Sequence, residues 1–118
     1  MNNKNVMIDT SDLEMAIVGC LLMDNFACFH ITNDLQDHDF HYEIARTIFS
    51  AIESLKNRDR PIDPYLVISE IRRNLSNEEF PSSNVFEIAS QAPSSIFLNH
   101  YIEELLDHRA YEHMRNNK

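Results

Sequence analysis

An all-helical fold, a bundle of about six helices, is predicted for this chain by three features of its sequence. Glycine is nearly absent: Gly19 is the only one among 118 residues, alongside four prolines. β-Sandwiches and barrels draw turn glycines at short intervals, and phosphate-cradling loops need them clustered. Apolar residues instead recur at spacings of three and four, the period of one helix face. Residues that start and stop helices fall between those runs. With 43% hydrophobic residues, one domain of this length can build a core without disulfides or a structural metal, burying roughly two-thirds of its unfolded surface.

Residues 1–9, MNNKNVMID, are polar and without period, so residues 1–10 read as a flexible N-terminal arm. Ser11-Asp12-Leu13-Glu14 has the capping-box pattern, a hydroxyl at the cap and a carboxylate three residues on. Behind it, Leu13, Ala16, Ile17, Cys20 and Leu21 line one face, and Val18 and Leu22 widen it, so this first helix is expected to be buried on more than one side. Gly19 lies inside it at a cost of about 1 kcal/mol relative to alanine, which close packing of another backbone would explain. Asp24-Asn25 ends that helix and starts a second one carrying Phe26, Phe29 and Ile31.

The acidic loop with Asp34, Asp37 and Asp39 leads into a third helix. Its stripe is Ile44 or Ala45, Ile48, Phe49, Ile52 and Leu55, with Arg46, Glu53 and Lys56 outside. Arg58 to Ile62 breaks it, and Asp63-Pro64 starts the fourth, aspartate as cap and proline at the first helical position. Val67, Ile68, Ile71 and Leu75 turn that helix inward. A polar connection from Ser76 to Ser83, containing Phe80-Pro81, precedes a short fifth helix with Val85, Ile88 and Ala89, ended by Pro93. Ser94-Ser95 caps the sixth, whose face is Leu98, Tyr101, Ile102 and Leu105. Beyond Leu106 the apolar pattern thins, as in a helix whose packing partner is missing. Residues 11–96 thus form the globular part and 97–118 a final helix.

Charge narrows the function. Ten Lys and Arg stand against nineteen Asp and Glu, a net −9, whereas a nucleic-acid binder presents a basic face to phosphates. The balance is −7 over residues 1–45, +2 over 46–73 and −4 over 74–118. The local bases Arg58, Arg60, Arg72 and Arg73 are interleaved with Asp59, Asp63 and Glu70. They read as a mixed solvated surface, and direct DNA binding is not expected. Two cysteines in apolar stretches, Cys20 and Cys28, make no disulfide framework. No signal sequence or membrane-length apolar run is present, so the expected compartment is the reducing cytoplasm.

No catalytic constellation stands out. His38 and His41 flank acidic residues, and His108 and His113 lie on the final helix, but no second ligand pair converges with them as a zinc site requires. Glu78-Glu79 and Glu103-Glu104 read as solvated surface. There is no Gly-x-Ser-x-Gly, and Cys28 and His30, two apart on a helix, point in different directions. The chain by itself is therefore expected not to be an enzyme and to hold no cofactor or metal.

The stretch from Asp12 to Asp24 (DLEMAIVGCLLMD) resembles the opening helix of the N-terminal domain of DnaB-type replicative DNA helicases, with Glu14, Gly19 and Asp24 on the family's places. Asp39-Phe40 followed by Ile48-Phe49, the turn Pro61-Ile62-Asp63, and Pro93-Ser94-Ser95 with Tyr101 match in the same order, over about residues 11–115. The resemblance implies subunit pairing in a hexameric ring, at least a weak dimer here, and docking of the helical C-terminal domain of primase. The parent would be an ATP-dependent helicase whose ATP and Mg sites lie in a separate C-terminal domain. The final helix would be the first arm of a truncated helical hairpin. An alternative is a free-standing phage or mobile-element protein of this fold that binds a host helicase or primase as adaptor or inhibitor.

Two departures touch surfaces where family partners dock. Glu79-Phe80-Pro81-Ser82-Ser83-Asn84-Val85 lacks the family's glycine pair and has Asn84 at the aromatic place, and Phe97 replaces the usual asparagine. Phe80, Asn84 and Phe97 are therefore the docking candidates, with core packing the competing reading for the two phenylalanines.

Overall fold

A computed structural model describes residues 5–27, 35–74 and 80–117. Its helices are α1 (Ser11–Met23), α2 (Glu43–Asn57), α3 (Pro64–Asn74), α4 (Ser82–Ser90) and α5 (Leu98–Asn116), with single 3-10 turns at Asp37–Asp39 and Ser95–Phe97. The second expected helix, around Phe26, Phe29 and Ile31, falls mostly on residues 28–34, outside the described residues; Asp24 to Ala27 form a turn. The other five are present, and no strand occurs among the described residues.

The apolar breadth of α1 has its counterpart in packing. Ile17, Val18 and Leu21 are fully buried, and the helix lies against α2, α4 and α5 at once. At Gly19 the end of α4 and the residues after it come close: a Cβ there would stand 3.1 Å from both the Ala92 Cβ and the Ile88 carbonyl oxygen. The glycine allows the approach that its helix propensity alone would disfavour. The amphipathic α2 buries Ala45, Ile48, Phe49, Ile52 and Leu55, and Phe49 stacks on Phe40 with ring centroids 4.6 Å apart.

The break after α2 is a Schellman closure built without glycine. Asp59 takes φ 56°, a left-handed conformation that a short polar side chain tolerates better than most. The Arg60 amide then donates to the Leu55 carbonyl (2.9 Å) and the Asp59 amide to Lys56 (3.0 Å). Asp63 caps α3 as expected, its side chain accepting from the Leu66 amide at 2.8 Å. Ile62 is anchored from across the fold, its amide donating to the Asn25 side chain at 3.0 Å.

Three expectations are corrected. The cap of α1 is Thr10 rather than Ser11, and the Glu14 carboxylate reaches the Thr10 hydroxyl (2.6 Å) instead of closing a box with Ser11. The described part of the arm is pinned: the Val6 amide donates to Asn116 Oδ1 (2.7 Å) and the Ile8 amide to Glu112 Oε2 (2.6 Å). Those bonds also give the polar end of α5 a packing partner, the segment 6–10, although Tyr111 and Met114 stay exposed.

Candidate functional site

The densest polar constellation centres on Arg109 of α5. Its Nε donates to the Asp39 carbonyl oxygen at 2.7 Å, Nη2 to Glu14 Oε2 at 3.0 Å and Nη1 to Glu112 Oε2 at 3.1 Å. Nη2 also donates to the Thr10 hydroxyl. Glu14 accepts in turn from the Tyr42 amide at 2.8 Å. One guanidinium thereby joins the N-terminal segment, α1, the 3-10 turn before α2, and α5. Both Glu14 oxygens are occupied, and the side chain is 1% exposed. This carboxylate is a fastener: it cannot take a proton from a substrate without giving up bonds that hold the fold.

A second cluster joins α2 to α3. Buried Glu70 accepts from Arg58 (2.7 Å) and Arg73 (2.6 Å), and from Ser54 and Asn74. Burial pushes its pKa up, but the Ser54 and Arg73 hydrogen bonds and the two guanidinium charges outweigh it, and the carboxyl titrates below its ordinary range. A third link ties the end of α1 to the turn before α5. Ser95 Oγ donates to Asp24 Oδ2 at 2.6 Å, and the Cys20 thiol to the Pro93 carbonyl at 3.5 Å. Burial, with Asp24 assisting, raises the Cys20 pKa, so the thiol is poorly suited to nucleophilic work.

The motif residues therefore converge in pairs that are far apart in sequence: Glu14 with Asp39 through Arg109, and Asp24 with the Pro93–Ser95 turn. Gly19 marks the α1–α4 contact, Phe40 is core, Asp63 is a cap, Pro61 is exposed, and Tyr101 is half-buried against the core. The docking candidates do not form one patch. Phe80 is 7% exposed and belongs to the core, so as a surface anchor it is corrected: its ring is already spent on packing. Asn84 is half-buried on α4. Phe97 is 55% exposed beside Ile96 at 75%, and its ring lies 6.2 Å from that of His100.

Sequence reasoning missed Thr10 and Glu112 as partners of Arg109. The only local signal was Glu112 one helical turn beyond Arg109. It also passed over Tyr65 and Phe86, which come together at the surface. Among the described residues, no group of three or more His, Cys, Asp or Glu is arranged to hold a metal ion, and no helix is long and apolar enough to cross a membrane.

The sequence and the fold have known counterparts. The family model described as "DnaB-like helicase N terminal domain" matches residues 7–107. The fold is similar to the crystal structure of the N-terminal domain of DnaB helicase from Mycobacterium tuberculosis, with a TM-score of 0.71 and 22% sequence identity over 81% of this chain and 67% of that one. A comparison with curated proteins finds no match. The matched region runs from the N-terminal segment into the first half of α5, ending at Asp107 just short of Arg109, and the chain belongs to the DnaB-like helicase N-terminal domain family.

Proposed function

We propose that this domain is a non-catalytic assembly and docking module of a replicative DNA helicase, pairing with neighbouring subunits and receiving the C-terminal helical domain of primase in the cytoplasm. The observation that carries the reading is the family match across residues 7–107. Apolar side chains left on the surface support it: Ile96 and Phe97 ahead of α5, and Tyr111 and Met114 on its far end. Exposed aromatics of this kind commonly anchor interfaces. On this reading ATP, Mg and DNA are handled by a C-terminal domain of the parent helicase.

Calorimetric titration of the chain with the C-terminal helical domain of the cognate primase tests docking, and light scattering across a concentration series tests pairing. Saturable binding that Phe97→Ala weakens supports the docking role, and absence of binding at high micromolar concentration overturns it for the isolated domain. A strictly monomeric mass at millimolar protein overturns the pairing role.

A further inference from the structure

The segment with a positive balance in this acidic chain borders an open groove. Between α3 and α4 lies a cavity of about 690 Å³ lined by Tyr65, Ile68, Ser69, Arg72, Arg73, Ser82 and Phe86. Tyr65 is 71% exposed and Phe86 38%, and their rings meet edge to face with centroids 5.2 Å apart. An aromatic pair held in water is a preformed anchor pocket: the rings are already ordered by each other, so a partner need not bear the full entropy of fixing them. Of the two guanidinium groups at the rim, Arg73 is tied to Glu70. Arg72 makes no ion pair among the described residues and stands available.

We propose that this groove docks an acidic peptide segment of a partner protein carrying an aliphatic or aromatic anchor side chain. Charge decides the partner's sign. The groove's lining carries two guanidinium groups, Arg72 and Arg73, and no carboxylate, so the rim favours an acidic segment over a basic one. The Arg72 guanidinium offers the forked donor geometry that carboxylates fill. The anchor packs against the Tyr65–Phe86 pair beside Ile68. No strand among the described residues offers an edge for main-chain pairing, so recognition runs through side chains. The surface uses neither Asn84 nor Phe97 and stands independently of primase docking.

The test is a nitrogen-15 NMR titration of the full chain with two synthetic twelve-residue peptides. Both carry the same leucine and phenylalanine anchors, one flanked by glutamates and the other by lysines. The acidic peptide is expected to give saturating shifts confined to α3 and α4 around Tyr65, Ser69, Arg72 and Phe86. Arg72→Glu, an exposed change that leaves the core untouched, is expected to weaken it at least tenfold, as is Tyr65→Ser. Raising salt is expected to weaken it further. Shifts centred elsewhere, no shifts at millimolar peptide, equal binding of the lysine peptide, or indifference to Arg72→Glu would each overturn the proposal.

Discussion

Arg109 and Glu14 are 95 residues apart in sequence and 3.0 Å apart in the fold. The pair is shielded from water, Arg109 being 10% exposed, and is completed by Thr10, Glu112 and the Asp39 carbonyl. Removing one member of a buried pair leaves the other charge uncompensated, a loss of about 3–5 kcal/mol. Arg109→Ala is therefore expected to lower stability by that order in urea unfolding. Arg109→Lys should fall between, since an ammonium keeps the charge but cannot reach four partners on four segments.

Gly19 predicts a steric result that opposes helix propensity. Alanine there gains about 1 kcal/mol of propensity but sets a methyl against Ala92 and a backbone carbonyl, and overpacking of this kind costs about 1–3 kcal/mol. Gly19→Ala is expected to destabilise by about 1 kcal/mol, the excess of that cost over the gain. The double variant Gly19→Ala with Ala92→Gly removes the Ala92 Cβ contact, one of three close ones, and should recover part of the loss. Equal unfolding midpoints for the wild type and Gly19→Ala would show that α4 yields.

Glu70 carries a pH dependence whose sign follows from its lowered pKa. In the folded state the carboxyl titrates below its ordinary value of 4.5. The unfolded chain thus takes up its proton first as pH falls. The stability that this carboxylate contributes is complete above pH 4.5 and drains away as pH drops through the folded-state value. The stability difference between wild type and Glu70→Gln should be constant from pH 7 to about 5 and shrink below that. A difference that grows on acidification would refute the assignment.

The two phenylalanines should separate cleanly. Phe80→Ala opens a cavity in the core and is expected to cost about 3–5 kcal/mol. Phe97→Ala should leave stability within about 0.5 kcal/mol, as exposed substitutions do, while weakening primase binding. A matched pair of urea curves and calorimetric titrations reads both effects.

How much of this was visible in the sequence depended on distance along the chain. The stripes of α1 and α2 and the Asp63-Pro64 start were legible because each rests on residues within a turn or two of one another, and the close approach at Gly19 showed as a lone glycine inside an apolar helix, although its partners Ile88 and Ala92 lie far along the chain. The Arg109 cluster was not, because its partners at Thr10, Glu14 and Asp39 lie 70 to 99 residues away. Residues 109–116 read locally as polar helix with nothing to bury, yet Glu112 is buried. Phe80 was ambiguous because its neighbours are charged residues and a proline. Its burial is set by helices that a local window does not contain.

The bonds from Val6 and Ile8 to Asn116 and Glu112 give the domain a mechanical property. Tension applied through the last turns of α5 does not peel that helix away by itself. It passes sideways into segment 6–10, and from there through Thr10 and Arg109 to the first turn of α1 and the turn at Asp39. Such a crossed strap resists sliding better than peeling, because several short bonds share the load at once. A torque on α5, of the kind a rotating or tilting neighbour would exert, is thereby delivered to the centre of the bundle rather than dissipated at its edge.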